Sequence, residues 1–174
     1  MNLAATALSR KKIRNLTEYV RKISGNDNNP YFPIVEFIEL VLGDPDNPNF
    51  NYEIVEPWEM ADMYGSTNTG TNVMKIRRDV YERAVKGIPR DRFTLCHELG
   101  HYLLHQPELM SYARGDVPRY RQPEWQANTF AGELMAPYKL VKNMNIEQIM
   151  DKCGMSRRAA SIQYDEYHKG CIQR

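Results

Sequence analysis

The N-terminal part of the chain places apolar residues at the three- and four-residue spacing of amphipathic helices. One run predicts a first helix that ends near Gly25, and a second predicts a helix that begins at Pro33 and ends at Gly43. The apolar positions are Ile13, Leu16, Val20 and Ile23 in the first run, and Ile34, Phe37, Ile38, Val41 and Leu42 in the second. Each helix should therefore bury one face in the core.

The period changes to two after residue 49, which predicts short strands. Phe50, Tyr52 and Ile54 alternate with polar residues, and Val73–Arg77 alternates in the same way. The stretch 65–72, rich in Gly, Thr and Asn, is typical of a hairpin connection. We expect a small, mostly antiparallel sheet of three strands. Val73–Arg77 is then either the strand at a cleft edge, where an extended substrate can pair with it, or a plain edge strand.

Prolines bracket two further helices. Pro89 and Pro107 flank one of them, and Pro123 and Pro137 flank the other. The stretch 106–122 between the two helices predicts a long loop that forms one wall of a cleft.

The C-terminal tail has the pattern of two helices joined by a turn at Gly154, with Ser156 placed to cap the second helix. This pattern resembles a helix-turn-helix, which raises DNA binding as a function. Residues 146–174 carry five basic and four acidic residues, a balance too even for strong phosphate binding. We therefore expect the tail to complete the domain by packing, without direct nucleic-acid binding.

Composition narrows the class of protein. With 174 residues, 42% hydrophobic and 26% charged, the chain is long enough for one globular domain with its own core. It has no apolar run of about 18 residues and no basic segment ahead of an apolar one at its start, so we expect neither a membrane span nor a signal peptide. Cys96, Cys153 and Cys171 show no paired metal-ligand spacing, which favours reduced thiols in the cytoplasm.

Charge is unevenly distributed, although the net charge is only +1. The segment between Lys22 and Lys75 contains nine acidic residues and no Lys or Arg, whereas the rest of the chain has 23 basic and 13 acidic residues. A solvated acidic face is the simpler interpretation. The alternative is a docking surface for a basic partner such as a DNA-binding repressor.

The stretch with recognisable chemistry is His-Glu-x-x-His at residues 97–101. Four residues turn a helix by about 400°, so His97 and His101 project from one face, one turn apart, where two imidazoles can bind one Zn²⁺. Glu98 is rotated about 100° from His97, which suits a general base rather than a ligand. His105 lies about 6 Å past His101, so it is either a helix-end residue or a cleft residue that hydrogen-bonds substrate.

A zinc site of this kind needs a third protein ligand, and the helix after Pro123 offers two carboxylates. Glu124 and Glu133 are nine residues apart, so they lie on opposite faces of that helix. Glu124 shares its face with small residues that permit close helix approach, and with Asn128, which can hydrogen-bond a ligand. We therefore predict Glu124 as the third ligand.

The chain resembles the ImmA/IrrE metallopeptidase family over two stretches: Arg-Phe-Thr-Leu-Cys-His-Glu-Leu-Gly-His-Tyr-Leu-Leu-His at 92–105 and Glu-x-x-Ala-Asn-x-Phe-Ala-x-Glu-Leu-Met-x-Pro at 124–137. The resemblance implies a gluzincin-like site in which His97, His101 and Glu124 bind one zinc ion and Glu98 is the catalytic base. It also implies a cytoplasmic endopeptidase that cleaves a regulatory protein, typically a helix-turn-helix repressor of a mobile element or stress pathway.

These observations predict an α+β protein with one zincin-like metallopeptidase domain over residues 1–174, its helices packed on the small sheet. We expect N-terminal helices in 1–49, the sheet in 50–78, the zinc-site helices in 89–142 and a helical tail in 143–174. The predicted function is zinc-dependent cleavage of a DNA-binding repressor or antitoxin. A non-cleaving module that sequesters a transcription regulator is the competing function. Tyr112 and Tyr120 are candidate oxyanion donors or packing residues.

Overall fold

The computed structural model describes residues 2–169, in which helices and short strands follow one another in a mixed order. The helices are α1 (Arg10–Ile23), α2 (Ile34–Glu36), α3 (Arg78–Val85), α4 (Pro89–Leu104), α5 (Pro123–Met135), α6 (Tyr138–Val141), α7 (Ile146–Cys153) and α8 (Arg157–His168). The strands are β1 (Asn2–Ala5), β2 (Asn51–Val55), β3 (Gly65–Asn68), β4 (Val73–Arg77) and β5 (Met110–Ala113). Short 3-10 helices lie at Pro57–Glu59, Pro107–Leu109 and Arg119–Arg121. The α+β class predicted from the sequence is confirmed.

Helix α4 lies at the centre of the fold. Pro89 occupies its first turn, and the helix ends before His105, as the flanking prolines predict. Leu95 and Leu99 are almost fully buried, and Glu98 beside them is also buried. Because α4 is covered on several sides, its side chains are held in place by packing from other elements.

Small residues let α4 and α5 approach each other closely. A Cβ atom at Gly100 would lie 3.1 Å from the Cα atom of Ala127 on α5, so only glycine fits this crossing without displacement. This close approach brings Glu124, in the first turn of α5, opposite the middle of α4.

The three-stranded sheet has the order β2–β4–β3, which differs from the predicted arrangement in two ways. First, β4 is the central strand and not the edge, and the segment 65–72 contributes the outer strand β3 as well as a turn. Second, β2 pairs with β4 in parallel, with Asn51 opposite Val73, whereas β3 pairs with β4 antiparallel. The chain must cross the sheet between β2 and β3, and local alternation carries no information about that crossing.

The stretch 106–122 is more ordered than the predicted long loop. Its strand β5 pairs antiparallel with β1 at the N-terminus, with Leu3 opposite Tyr112, and 3-10 helices lie on either side of β5. The prediction of a continuous long loop was wrong over β5, because pairing with a distant segment satisfies the backbone of this strand.

The predicted second helix is present, but only its first turn is an α-helix. It continues beyond α2 as a π-helix over Phe37–Leu42. The predicted tail of two helices is confirmed: α7 ends at Gly154, which has a left-handed φ of 62°, and Ser156 caps α8. The buried Arg92 side chain of α4 donates hydrogen bonds to the carbonyls of Cys153 and Gly154, so the tail is anchored on the domain.

Cys96 and Cys153 are both buried and have free thiols, and burial raises the pKa of Cys96 to about 12. Cys171 lies outside the described residues. Within residues 2–169, no helix is both long and apolar enough to cross a membrane.

Candidate metal centre

Three side chains from α4 and α5 converge on one point. The Nε2 atoms of His97 and His101 lie 3.0 Å apart. The Glu124 carboxylate approaches both rings, with Oε1 3.2 Å from His101 Nε2 and Oε2 3.4 Å from His97 Nε2. One donor atom from each residue lies within 4.8 Å of the other two. The Glu124 side chain is 74% exposed, so the cluster is open to solvent on that side.

The hydrogen-bond network assigns the tautomer of His97. Its Nδ1 atom lies 3.1 Å from the Oδ1 atom of Asn128, a carbonyl oxygen that can only accept. The proton of the neutral ring is therefore on Nδ1, and the Nε2 lone pair faces the cluster.

A longer relay assigns the tautomer of His101. The Gln126 amide nitrogen donates to the backbone oxygens of Thr6 and Tyr120, so its Oε1 atom is the acceptor for His105 Nε2 at 3.1 Å. Neutral His105 then accepts at Nδ1, where His101 Nδ1 donates over 2.9 Å. His101 is thereby left with its Nε2 lone pair directed at the cluster.

Burial keeps all three rings in the neutral form that this network requires. Desolvation, together with the neighbouring His97 and His105, lowers the pKa of His101 to about 3. Desolvation also lowers the pKa of His97 and of His105, although hydrogen bonds and the charge of Glu124 oppose it.

The donor set fits a metal ion. The Nδ1 protons of His97 and His101 are engaged by Asn128 and His105, so no proton lies between their Nε2 atoms. The two Nε2 lone pairs therefore face each other at 3.0 Å and repel unless a cation lies between them. Tetrahedral bonds of about 2.0–2.1 Å place ligand atoms roughly 3.3 Å apart, close to the separations of 3.0, 3.2 and 3.4 Å seen here. Two imidazoles and a carboxylate are also a common protein ligand set for zinc.

Glu98 follows His97 on α4, and its carboxyl contacts β3. Its Oε2 atom accepts a 2.7 Å hydrogen bond from the Thr67 hydroxyl, and a Cβ atom at Gly65 would lie 2.7 Å from Glu98 Cγ. Burial raises the pKa of Glu98 to about 7, the Thr67 hydrogen bond opposes this shift, and the charge of Glu124 adds to it. Strand β3 thus fixes the position of a carboxyl that can exchange a proton near neutral pH.

The structure separates the predicted site residues into two groups. His97, His101, Glu124, Glu98 and Asn128 lie together. The other residues do not join them. His105 caps the C-terminal end of α4, the position that the helix-end alternative describes, and its 5% exposed side chain hydrogen-bonds His101 and Gln126.

The structure places three further candidates away from the donor cluster: Tyr112, Tyr120 and Glu133. The tyrosine side chains are 74% and 50% exposed, and within residues 2–169 neither hydroxyl hydrogen-bonds a residue of the cluster. Glu133 is fully buried and pairs with Arg10 and Arg14 on α1, at 2.9 and 2.8 Å. Glu133 therefore joins α5 to α1, on the side of α5 away from the metal cluster.

Sequence reasoning missed three residues that shape the site: Gly65, Thr67 and Gln126. Thr67 and Gly65 act through contacts with Glu98 that span more than 30 positions of chain, for which no local spacing gives a signal. Gln126 also gave no signal in the sequence, because only the structure shows that its side chain is fully buried and must therefore have hydrogen-bond partners.

Comparison with known families bears directly on these residues. The sequence model of the family described as Peptidase_M78, IrrE N-terminal-like domain, matches residues 59–162. The match begins after β2 and ends within α8, so it covers β3, α4 and α5 and with them the whole donor cluster. A comparison with individual curated proteins finds no match.

Proposed function

The chain belongs to the Peptidase_M78 family of IrrE N-terminal-like domains, and from this membership and the donor cluster we propose that it is a zinc-dependent endopeptidase. Its substrate in this proposal is a cytoplasmic regulatory protein, such as a helix-turn-helix repressor or an antitoxin. The ligands of one zinc ion per chain would be His97 Nε2, His101 Nε2 and the Glu124 carboxylate.

One observation carries the proposal. The two histidine rings direct unprotonated Nε2 atoms at each other and at a carboxylate, while Asn128 and His105 engage the opposite ring nitrogens. A pair of surface histidines without a metal would gain nothing from these partners. Hydrogen bonds to the far nitrogen of each ring are, however, the usual support for metal-binding histidines.

The residues around the cluster divide the chemistry of peptide hydrolysis among them. Bound zinc supplies Lewis-acid polarisation of the scissile carbonyl and makes water more acidic. Glu98 holds its Oε2 atom in the hydrogen bond from Thr67, which leaves Oε1 to take a proton from the attacking water. As the new C–O bond forms and the C–N bond breaks, Glu98 returns that proton to the leaving amine nitrogen.

The free edge of the sheet supports an extended mode of substrate binding. The Arg77 backbone N–H donates to the Tyr64 carbonyl, so Tyr64 and Arg77 form a hydrogen-bonded pair next to the β3–β4 ladder. Hydrogen-bonded and non-hydrogen-bonded pairs alternate along an antiparallel ladder. The backbone N–H and C=O groups of Gly65 and Thr67 therefore point away from β4, toward the open edge. We assign the predicted substrate-pairing strand to β3 in place of β4, because β3 is the outer strand and also touches Glu98.

The acidic segment contributes less free charge to substrate docking than its composition indicates. Glu53 lies 3.7 Å from Lys75, Glu56 accepts from Arg78 at 2.5 Å, and Glu39 accepts a hydrogen bond from a tyrosine hydroxyl. Within residues 2–169, two of its nine carboxylates thus pair with a basic side chain, and Glu39 is held by a neutral hydroxyl. Selection of a substrate in this proposal depends mainly on the cleft itself.

The test is cleavage of transcription regulators encoded near this protein, followed by intact mass analysis. Zinc-loaded protein should convert one regulator into two fragments whose masses sum to that of the regulator plus one water. Glu98→Gln keeps the side-chain size and should bind the same regulator without cutting it. A regulator that binds both proteins tightly and stays intact with both would overturn the peptidase proposal in favour of sequestration.

A further inference from the structure

A second feature of the cleft is a groove of about 700 Å³ bounded by α4, α5 and α8. It adjoins the metal cluster, because Asn128, the hydrogen-bond partner of His97, forms part of its wall. From there it runs along the first half of α4, past Phe93 and Arg90. A polypeptide bound with its scissile bond at the cluster would therefore extend into this groove.

The charged groups that line the groove are all basic. Arg10, Arg90, Arg119 and Arg158 line it, and no Asp or Glu is among its lining residues. Arg10 is neutralised by ion pairs with two glutamates. The other three are exposed, and within residues 2–169 none of them forms an ion pair with a carboxylate, although the Arg90 guanidinium lies 4.6 Å from the centre of the Tyr64 ring. Desolvation raises the pKa of Glu166, but the hydrogen bond from Lys169 and the charges of Arg10, Lys169 and Arg119 together lower it below its ordinary value.

Aromatic and apolar groups form the floor between these arginines. Trp125 and Phe93 line the groove together with Ile162, which is 52% exposed. The Arg119 guanidinium lies 5.8 Å from the centre of the Trp125 ring, so one of the free cations is held above this floor. A ligand that fits must combine apolar side chains with negative charge.

We propose that this groove binds an acidic segment of the protein substrate, whose carboxylates pair with Arg90, Arg119 and Arg158 while an apolar side chain contacts Trp125. The inference rests on the proposed function, since it makes the groove an extension of the peptide-binding cleft. It narrows the substrate class to proteins in which acidic residues flank the cleaved bond on one side.

Position and charge favour a peptide over a nucleic acid in this groove. The groove adjoins the cluster at which a peptide bond would be cut, and within residues 2–169 only three of its arginines have no carboxylate partner. A nucleic acid strand gains its affinity from many phosphate contacts, and the chain as a whole has a net charge of only +1.

The test measures binding and cleavage separately. The probe is a blocked, fluorescently labelled peptide in which a leucine is flanked by glutamates, and its counterpart has glutamines in their place. Anisotropy gives both affinities on Glu98→Gln protein, which keeps the groove intact. The intrinsic fluorescence of Trp125 reports the location, because Trp58→Phe removes the other of the two tryptophans, which is 79% exposed.

Two carboxylate–arginine pairs at a partly exposed surface should favour the glutamate peptide about tenfold, and the preference should shrink as salt is raised. Arg158→Gln and Arg119→Gln together should remove most of that preference. Arg157→Gln is the matched control, since Arg157 precedes Arg158 on α8 but is not among the groove residues and pairs instead with Glu147.

Three results would overturn the inference. Equal binding of the two peptides would remove the role of charge, and equal losses in the control and the groove variants would show a non-specific effect. A single-stranded oligonucleotide that binds more tightly than the glutamate peptide and alters Trp125 fluorescence would assign the groove to nucleic acid. Peptide binding as expected, without cleavage by the parent protein, would instead count against the peptidase proposal alone.

Discussion

His105 should control metal affinity, although it does not belong to the donor cluster. Its ring accepts the Nδ1 proton of His101 over 2.9 Å and donates to Gln126 over 3.1 Å. His105→Phe keeps a ring of similar size at a position that is 5% exposed, but it removes both hydrogen bonds. The His101 ring is then free to change tautomer, so its Nε2 lone pair is no longer held toward the cluster.

The size of the expected effect follows from this arrangement. Loss of a hydrogen-bond partner behind a metal-binding histidine costs about 10- to 100-fold in affinity, or roughly 1.4–2.8 kcal/mol. Gln126 Oε1 would also lose its partner in the interior, which should lower the free energy of unfolding of the metal-free protein by about 1–3 kcal/mol.

The assay separates these two effects. Zinc affinity is measured by competition with a chromogenic chelator, and the stability of the metal-free protein by urea unfolding. His168→Phe is the control, because it makes the same substitution at the remaining histidine, whose Nδ1 atom bonds the Tyr164 carbonyl. Parental zinc affinity in folded His105→Phe protein would refute the relay, as would an equal loss in the control.

Three further predictions test neighbouring parts of the structure. Glu124→Ala should abolish zinc binding with little effect on folding. Glu133→Ala should keep zinc binding but lower the free energy of unfolding by roughly 3 kcal/mol, because it leaves two arginines without their buried partner. Elemental analysis and urea unfolding measure these two properties, and the reverse pattern would contradict the assignment of Glu124 as the ligand. Gly65→Ala should lower kcat at unchanged zinc content, since its Cβ atom must displace the Glu98 side chain, and full activity in this variant would contradict the contact. Hydrogen bonds from the Arg77 and Arg83 side chains lower the pKa of Asp79 to about 2. The ionised carboxylate therefore stabilises the fold fully above its ordinary pKa of 3.8, and this stabilisation is lost as the pH falls through 2. Urea midpoints should accordingly fall less for Asp79→Asn than for the parent between pH 4 and pH 2.

The donor residues could be predicted from the sequence, because their relative positions depend largely on spacing within single helices. His97 and His101 occupy one face of one helix, a relation that the period of the α-helix determines. The choice of Glu124 over Glu133 used the same period, and the structure places Glu124 at the cluster and Glu133 in a buried ion-pair network. The small-residue face that includes Ala127 also correctly indicated a close helix crossing.

The parts that sequence reasoning missed depend on contacts between distant segments. The order β2–β4–β3 and the pairing of β1 with β5 involve strands of four or five residues, whose alternation is the same in a central and an outer strand. The hydrogen bond from Thr67 to Glu98 and the relay through Gln126 likewise join residues that only the tertiary fold brings together. The hydrogen bonds of His105 were not predicted for the same reason, since helical spacing does not show which residues of other elements a side chain contacts.

The central claim is that this chain hydrolyses peptide bonds with a bound zinc ion and Glu98 as the base. The most direct test digests a complex peptide library with zinc-loaded parent and Glu98→Gln proteins, and counts new peptide termini by mass spectrometry after elemental analysis of both proteins. We predict about one zinc ion per chain in each protein, and new termini formed by the parent at a rate about 10²- to 10⁴-fold above that of the variant. Zinc-loaded parent protein that forms no new termini, or a variant that forms them as fast, would contradict the claim.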